Sequence, residues 1–183
     1  MAVTIAQAPE FNLQPGRVIG GTYVIERLLG SGGEGEVYKV RERRTDALRA
    51  VKVFRLERNP RALVLTRYAR KLERLRNCRM VIDYHHTERL RWHNEWLTCM
   101  VSEYVEGEVL SRFVQRRGGR MDPISALLLV HAMAKGLAEI HEAGEYHGDL
   151  HWGNVLVRRR GVHFDIKVLD FFHCGRPTAA QRR

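Results

Sequence analysis

Strand-like alternation dominates the first half of the chain. Tyr23-Val24-Ile25-Glu26-Arg27-Leu28-Leu29 carries β-branched and aromatic side chains in a short run, and Glu36-Val37-Tyr38-Lys39-Val40-Arg41 alternates apolar with polar. Ala50-Val51-Lys52-Val53-Phe54 is a third strand candidate. Met80 to His86 and Trp96 to Tyr104 are two more, joined by a polar turn around Arg91 to Glu95. Between the third and fourth runs the period changes to that of a helix. Asn59 is placed as its cap and Pro60 at its first position, and Leu65, Tyr68, Leu72 and Leu75 recur on one face. A longer helix is predicted from Asp122-Pro123 to near Gly144. Ile124, Leu127, Leu128, Leu129, Val130, Met133, Leu137 and Ile140 cover most of its circumference, which predicts burial on more than one side. Val155-Leu156-Val157 and Phe164 to Leu169 then form a hairpin around Arg160-Gly161. Residues 1 to 21 have no periodicity and contain Pro9, Pro15, Gly16, Gly20 and Gly21, so they read as a flexible lead-in or an edge-packing arm.

Composition narrows the class without naming a function. The chain has 183 residues, enough for one moderate core or two small lobes, and at 44% hydrophobic and 28% charged it has the balance of a soluble globular protein. No run approaches the roughly 18 consecutive apolar residues of a membrane span, so no membrane association is expected. Met1 to Phe11 offers neither a basic start nor an apolar core of a secretory signal. Cys78, Cys99 and Cys174 are widely spaced and form no CxxC pair, which fits reduced thiols and a cytoplasmic location. The formal charge of +10 could draw nucleic acid. Its densest places, Arg67 to Arg79 and Arg158 to Arg160, lack interleaved aromatics, so a solvated basic surface is expected instead.

Three local patterns carry chemistry. Gly30, Gly32 and Gly35 form G-x-G-x-x-G, with Val37 two positions later. Alone this is weak, because a dinucleotide-binding turn uses the same spacing. Such a turn should open a helix and be followed by an acidic residue about 20 positions on; here a strand follows, and near that offset lies Lys52, with Ala50 on the same run. A glycine hairpin lets backbone approach phosphates, and a lysine on the next strand can reach them. Second, His147-Gly148-Asp149-Leu150-His151-Trp152-Gly153-Asn154 sets a carboxylate five positions before a carboxamide. A carboxylate can orient a hydroxyl and take its proton, and an Asn oxygen can hold a hard cation. Third, Val168-Leu169-Asp170-Phe171-Phe172 brings another carboxylate out of an apolar strand. His147 and His151 could suggest a zinc pair, but a closed shell needs further ligands, and only His163 and His173 offer themselves by composition.

Taken in order, these motifs resemble the protein-kinase-like superfamily. Ile19 to Phe54 is most similar to bacterial eukaryotic-type Ser/Thr protein kinases, and the loop at Asp149 to atypical and small-molecule kinases such as the aminoglycoside phosphotransferases. The resemblance implies an α+β, protein-kinase-like bilobal fold, with a five-stranded antiparallel N-lobe over 22–105 and a truncated, mainly helical C-lobe over 106–183. It implies ATP and Mg²⁺ as cofactors. Gly30, Gly32, Gly35, Val37, Ala50 and Lys52 would line the nucleotide, the backbone of Glu103 and Val105 would hold adenine, and Ser102 would line the back of the pocket. Asn154 and Asp170 would hold magnesium, and Asp149 with Lys52 would be the catalytic pair. The expected activity is transfer of the γ-phosphoryl group to a Ser or Thr hydroxyl of a protein. Alternatives are a non-catalytic kinase-like module that binds nucleotide or partners, and a small-molecule kinase.

The chain departs from the family at several places. The helix position that should hold a glutamate for Lys52 holds Tyr68, and Glu73 lies off that face. Phe172 stands where the family has a glycine, Gly148 replaces an arginine, and His151 stands where a lysine is common. Only 13 residues follow Asp170, so an apolar stripe along the long helix is expected to be exposed and covered by a second copy or by another protein.

Overall fold

The computed structural model describes residues 10–55 and 63–171. The expected helix start at Asn59-Pro60, and Phe172, lie outside these. The chain forms two compact units. One comprises Met1–Thr66 with Asp83–Tyr104, the other Arg67–Ile82 with Val105–Arg183, so helix residues from Arg67 onward group with the C-terminal part.

The first unit is built on one antiparallel sheet. Its strands are β1 (Val18–Ile19), β2 (Tyr23–Gly32), β3 (Gly35–Glu42), β4 (Leu48–Phe54), β5 (Tyr84–Trp92) and β6 (Glu95–Glu103), in the order β1-β2-β3-β4-β6-β5. The five expected strands are joined at the edge by the two-residue β1. β5 begins four residues later than expected, because Met80, Val81 and Ile82 belong to the other unit.

Strand alternation sorts the sheet into two faces. Tyr38, Val40, Val51, Val53, Cys99 and Val101 turn to one side, where they join Ile19, Tyr23, Ile25, Leu90 and Leu97 in a buried cluster. Phe11 and Leu13 complete it, Phe11 meeting Trp92 edge-on at 5.1 Å. Residues 10–21 are therefore an edge-packing arm rather than a flexible lead-in. Glu36, fully buried, holds it: the carboxylate accepts hydrogen bonds from the Phe11 amide at 3.0 Å, from the Glu10 amide and from the Tyr38 hydroxyl. The same hydroxyl accepts from the Leu13 amide at 3.1 Å. Burial, and then the bond to Glu36, push the Tyr38 phenol well above its ordinary range.

The second unit holds most of α1 (Leu63–Arg74), then β7 (Glu108–Val109), α2 (Leu110–Gln115), α3 (Pro123–Glu142), β8 (Val155–Arg160) and β9 (His163–Val168). β7, β8 and β9 form a small antiparallel sheet in that order. α3 starts where Asp122 accepts from the Ser125 amide at 2.8 Å, with Pro123 at the first turn. It crosses Met80 closely. A β-carbon on Gly136 would lie 2.4 Å from the Met80 sulfur, so glycine is what allows the approach. Met80 and Val81 run on to β9, the Val168 amide donating to the Met80 carbonyl at 2.7 Å.

α3 corrects one expectation. It is buried on a single face, through Ser125, Leu129, Gly136 and Ile140, while Ile124, Leu127 and Val130 are exposed. Its 20 residues are long and apolar enough, by length and composition alone, to cross a membrane, although Lys135 and Glu139 interrupt any consecutive apolar run. Its packing on β9 and Met80 is that of a helix belonging to the domain.

Candidate active site

In the first unit the glycine segment is a tight hairpin. β2 and β3 run to Gly32 and Gly35, which pair directly, so only Gly33 and Glu34 form the turn. At Gly35 φ is 155°, and a β-carbon would sit 2.0 Å from the Val53 carbonyl oxygen. Glycine is required there because the hairpin is pressed on β4. At Gly30 and Gly32 a β-carbon would meet nothing within 4 Å. These two leave backbone bare rather than making room for packing.

The register places the expected nucleotide-site residues together. Val37 pairs with Lys52 and Lys52 with Met100; Ala50 pairs with Ser102. By alternation all five share the face opposite the Tyr38–Val51 cluster. Lys52, with a side chain 7% exposed, has its ammonium 2.9 Å from the Glu34 carboxylate and 5.6 Å from the Phe54 ring. At Glu103 the amide donates to the Asp83 carbonyl at 2.9 Å, so an adenine could be met there only through the Glu103 carbonyl oxygen. Ser102 is buried. Val105 belongs to the second unit and is partly buried.

In the second unit the loop before β8 is organised by His147, which is 3% exposed. Its Nε2 lies 2.6 Å from the Leu169 carbonyl, which can only accept, so Nε2 carries the proton. Its Nδ1 accepts from the Asp149 amide at 3.2 Å. The ring is thus the neutral tautomer, with both nitrogens occupied by backbone, and it cannot be half of a zinc pair. It lies 4.5 Å from the Phe171 ring. Among the described residues no cluster of three or more His, Cys, Asp or Glu could hold a metal.

Asp149 follows Gly148, whose φ of 85° turns the chain. Its carboxylate is 47% exposed and lies 3.8 Å from His151 Nε2. His151 is oriented through Nδ1, which accepts from the Gly153 amide at 3.0 Å. Asn154 is buried; its Nδ2 donates to the Asp149 carbonyl at 3.0 Å and lies 3.5 Å from Asp149 Oδ2. The amide nitrogen being turned to Asp149, the Asn154 carbonyl oxygen is its other end. The Leu169 amide donates to the Asn154 backbone carbonyl at 2.8 Å, and Val155 pairs with Val168. Asp170, with φ of 58°, therefore leaves the hairpin beside Asn154. A carboxamide and a carboxylate on neighbouring stretches of backbone are oxygen donors of the kind magnesium takes, few from protein and the rest from phosphate and water.

Three residues escaped the reading of motifs. Met100 is placed beside Lys52 by register alone. Glu34 brings a carboxylate to Lys52. Lys71, 3% exposed, donates to the Tyr146 carbonyl, lies 3.8 Å from Glu145, and stacks 5.5 Å over Phe171. It ties α1 to the chain entering the Asp149 loop. A helix lysine gives no signal of burial in sequence. Tyr68 is wholly buried, while Glu73 is on the surface, paired with Arg76 at 3.1 Å.

Burial, partly opposed by the bond to Leu169, holds the His147 imidazole below its ordinary value near 6.5. The unfolded chain then binds the proton first as pH falls. His147 leaves stability intact above about pH 6.5 and subtracts from it progressively as pH drops toward the lower folded value. Urea unfolding of wild type and His147→Phe at several pH values checks this. The variant should be weaker at neutral pH but lose less on acidification. His85, also held low by burial, is present in both and cancels.

The first unit carries a glycine hairpin with a strand lysine, and the second, by itself, a His-x-Asp loop with Asn154 and Asp170. The pattern of the protein kinase domain matches residues 23–181, and the chain belongs to that family. It is 30% identical over 157 residues to "Serine/threonine-protein kinases drp72" of Corynebacterium efficiens, covering 84% of this chain and 29% of that protein. It is 29% identical over 159 residues to the Serine/threonine-protein kinase PknA of Mycobacterium tuberculosis, covering 85% and 36%. The chain thus spans about a third of the length of these relatives. The fold is also that of the Mycobacterium tuberculosis PknI kinase domain, with a TM-score of 0.68 at 24% identity over 91% of this chain and 66% of that one.

Proposed function

We propose that the chain is an ATP- and Mg²⁺-dependent phosphotransferase domain acting on Ser or Thr hydroxyls of a protein. The observation that carries this is the Asp149 loop, where a half-exposed carboxylate is held by Asn154 and set by a neutral, buried His147. Asp149 orients the acceptor hydroxyl and takes its proton as the oxygen bonds to the γ-phosphorus and the bond to the β-phosphate oxygen breaks. Lys52 neutralises the α- and β-phosphates. Asn154 and Asp170 would hold magnesium, which would supply positive charge to the phosphates. Val37 and Ala50 line the base, with Glu103 and Val105 at its edge. The names of the relatives support a protein acceptor, and a cytoplasmic location fits the reduced thiols Cys78 and Cys99.

Thermal unfolding with and without ATP and magnesium tests the binding half. Nucleotide at about 100 times its dissociation constant should stabilise the fold by ~2.7 kcal/mol, and Lys52→Ala should abolish most of the gain. Transfer of labelled phosphate from ATP to a mixed Ser/Thr protein acceptor tests the rest. No stabilisation together with no transfer would overturn the proposal, whereas stabilisation without transfer would leave a nucleotide-binding module.

The exposed Ile124, Leu127 and Val130 stripe is proposed as a self-association or partner surface. Sedimentation across a concentration series should give a rising mass for the wild type and a constant one for Leu127→Glu. A monomer throughout rules out a second copy.

A further inference from the structure

Lys52 is buried to a degree at which an ammonium needs an anionic partner. The family's helical glutamate is a tyrosine in this chain, Tyr68. Within the first unit a carboxylate comes from the turn of the glycine hairpin, with Glu34 Oε2 at 2.9 Å from Lys52 Nζ. The turn is held where it makes this possible. The Arg55 amide donates to the Glu34 carbonyl at 3.1 Å, Arg55 Nε donates to the Gly32 carbonyl at 3.3 Å, and Gly35 lies directly against Val53.

We propose that Glu34 sets the affinity of the phosphate subsite: its carboxylate occupies the place on Lys52 that a nucleotide phosphate takes, and binding must expel it. This rests on the ATP reading above. A carboxylate and a phosphate are both anionic acceptors for the same N–H groups, and holding both at one ammonium sets like charges together. The exchange has a built-in direction. The Glu34 side chain is 40% exposed and can turn to water, whereas Lys52, at 7%, cannot. The ion pair therefore satisfies the lysine without nucleotide and lowers the apparent affinity for it, as a competing conformer does. It also keeps the hairpin on β4 until phosphate arrives.

Calorimetric titration of the 183-residue chain with ATP plus magnesium, and separately with adenosine, tests this in wild type and Glu34→Gln. The variant should bind the magnesium nucleotide about two- to fivefold more tightly, the range of a partly exposed ion pair. Adenosine, which has no phosphate, should bind both proteins alike. Without nucleotide the variant should melt below wild type and gain more from ATP. Glu34→Ala should reproduce the pattern and serves if the glutamine variant does not fold. Equal or weaker nucleotide binding by the variant overturns the role of Glu34, as does an equal change for adenosine. If wild type and variants bind neither ligand, the ATP site itself is refuted and this proposal with it.

Discussion

Asp149→Asn should slow phosphoryl transfer by about 10²- to 10⁴-fold, the range for a lost general base, while leaving the affinity for ATP and magnesium within about twofold of wild type. The substitution is nearly isosteric and removes the ability to take a proton. The contacts that shape the loop use the backbone of residue 149: its amide donates to His147 Nδ1 and its carbonyl accepts from Asn154 Nδ2. Both survive the change. The longer 3.5 Å approach of Asn154 Nδ2 to Oδ2, and the 3.8 Å pairing with His151, are altered. The loss should therefore fall on kcat and on kcat/KM alike, as for a group that acts in the transition state. Transfer of labelled phosphate under saturating ATP reads the rate, and the thermal gain with nucleotide reads the affinity. A variant retaining more than about a tenth of the wild-type rate would remove Asp149 from the catalytic step.

Much of the sheet could be read from sequence because alternation is a local signal. β2, β3, β4 and β6 lie close to where the apolar runs place them, and the glycine hairpin and Lys52 followed from their spacing. The errors arise where an apolar run does not say which core it joins. Met80, Val81 and Ile82 look like the start of a strand but belong to the other unit, where Met80 packs against Gly136 and Val81 bridges to β9. α3 is apolar nearly all round, which reads as burial on more than one side, yet it is buried on one face and Ile124, Leu127 and Val130 form the exposed stripe that was also expected, because periodicity reports a helix's composition and not its neighbours. β7 and α2, of 2 and 6 residues, are too short to leave a period. The site shows the same division. Asp149, Asn154 and Asp170 are close in sequence to the hairpin that assembles them. Glu34 and Lys71 look like ordinary surface charges, and only the placement of Lys52 and of Tyr146 reveals what they hold.

Glu36→Ala should be among the most destabilising single changes in the first unit, costing about 3 kcal/mol or more, since each stranded buried donor costs ~1–3 kcal/mol. The carboxylate is the common acceptor for the Glu10 and Phe11 amides and the Tyr38 hydroxyl. Alanine strands all three, the Phe11 amide and the Tyr38 hydroxyl in buried places, and opens a void at a fully buried position. The arm, which has no periodic apolar face to hold it, should then leave the sheet, exposing Phe11 and Leu13. Glu36→Gln separates charge from hydrogen bonding. Its carbonyl can still accept from the two amides, and its amide nitrogen can donate to the Tyr38 oxygen, leaving the Tyr38 proton as the one donor without its acceptor, so it should cost about 1–3 kcal/mol and less than alanine. Urea unfolding gives the two stabilities. Hydrogen exchange locates the damage, because the amides of Phe11 and Leu13 should exchange far faster in Glu36→Ala while those of β4 and β6 keep their relative protection. If the alanine variant unfolds with wild-type stability and its arm amides stay protected, Phe11 and Leu13 hold the arm by burial alone.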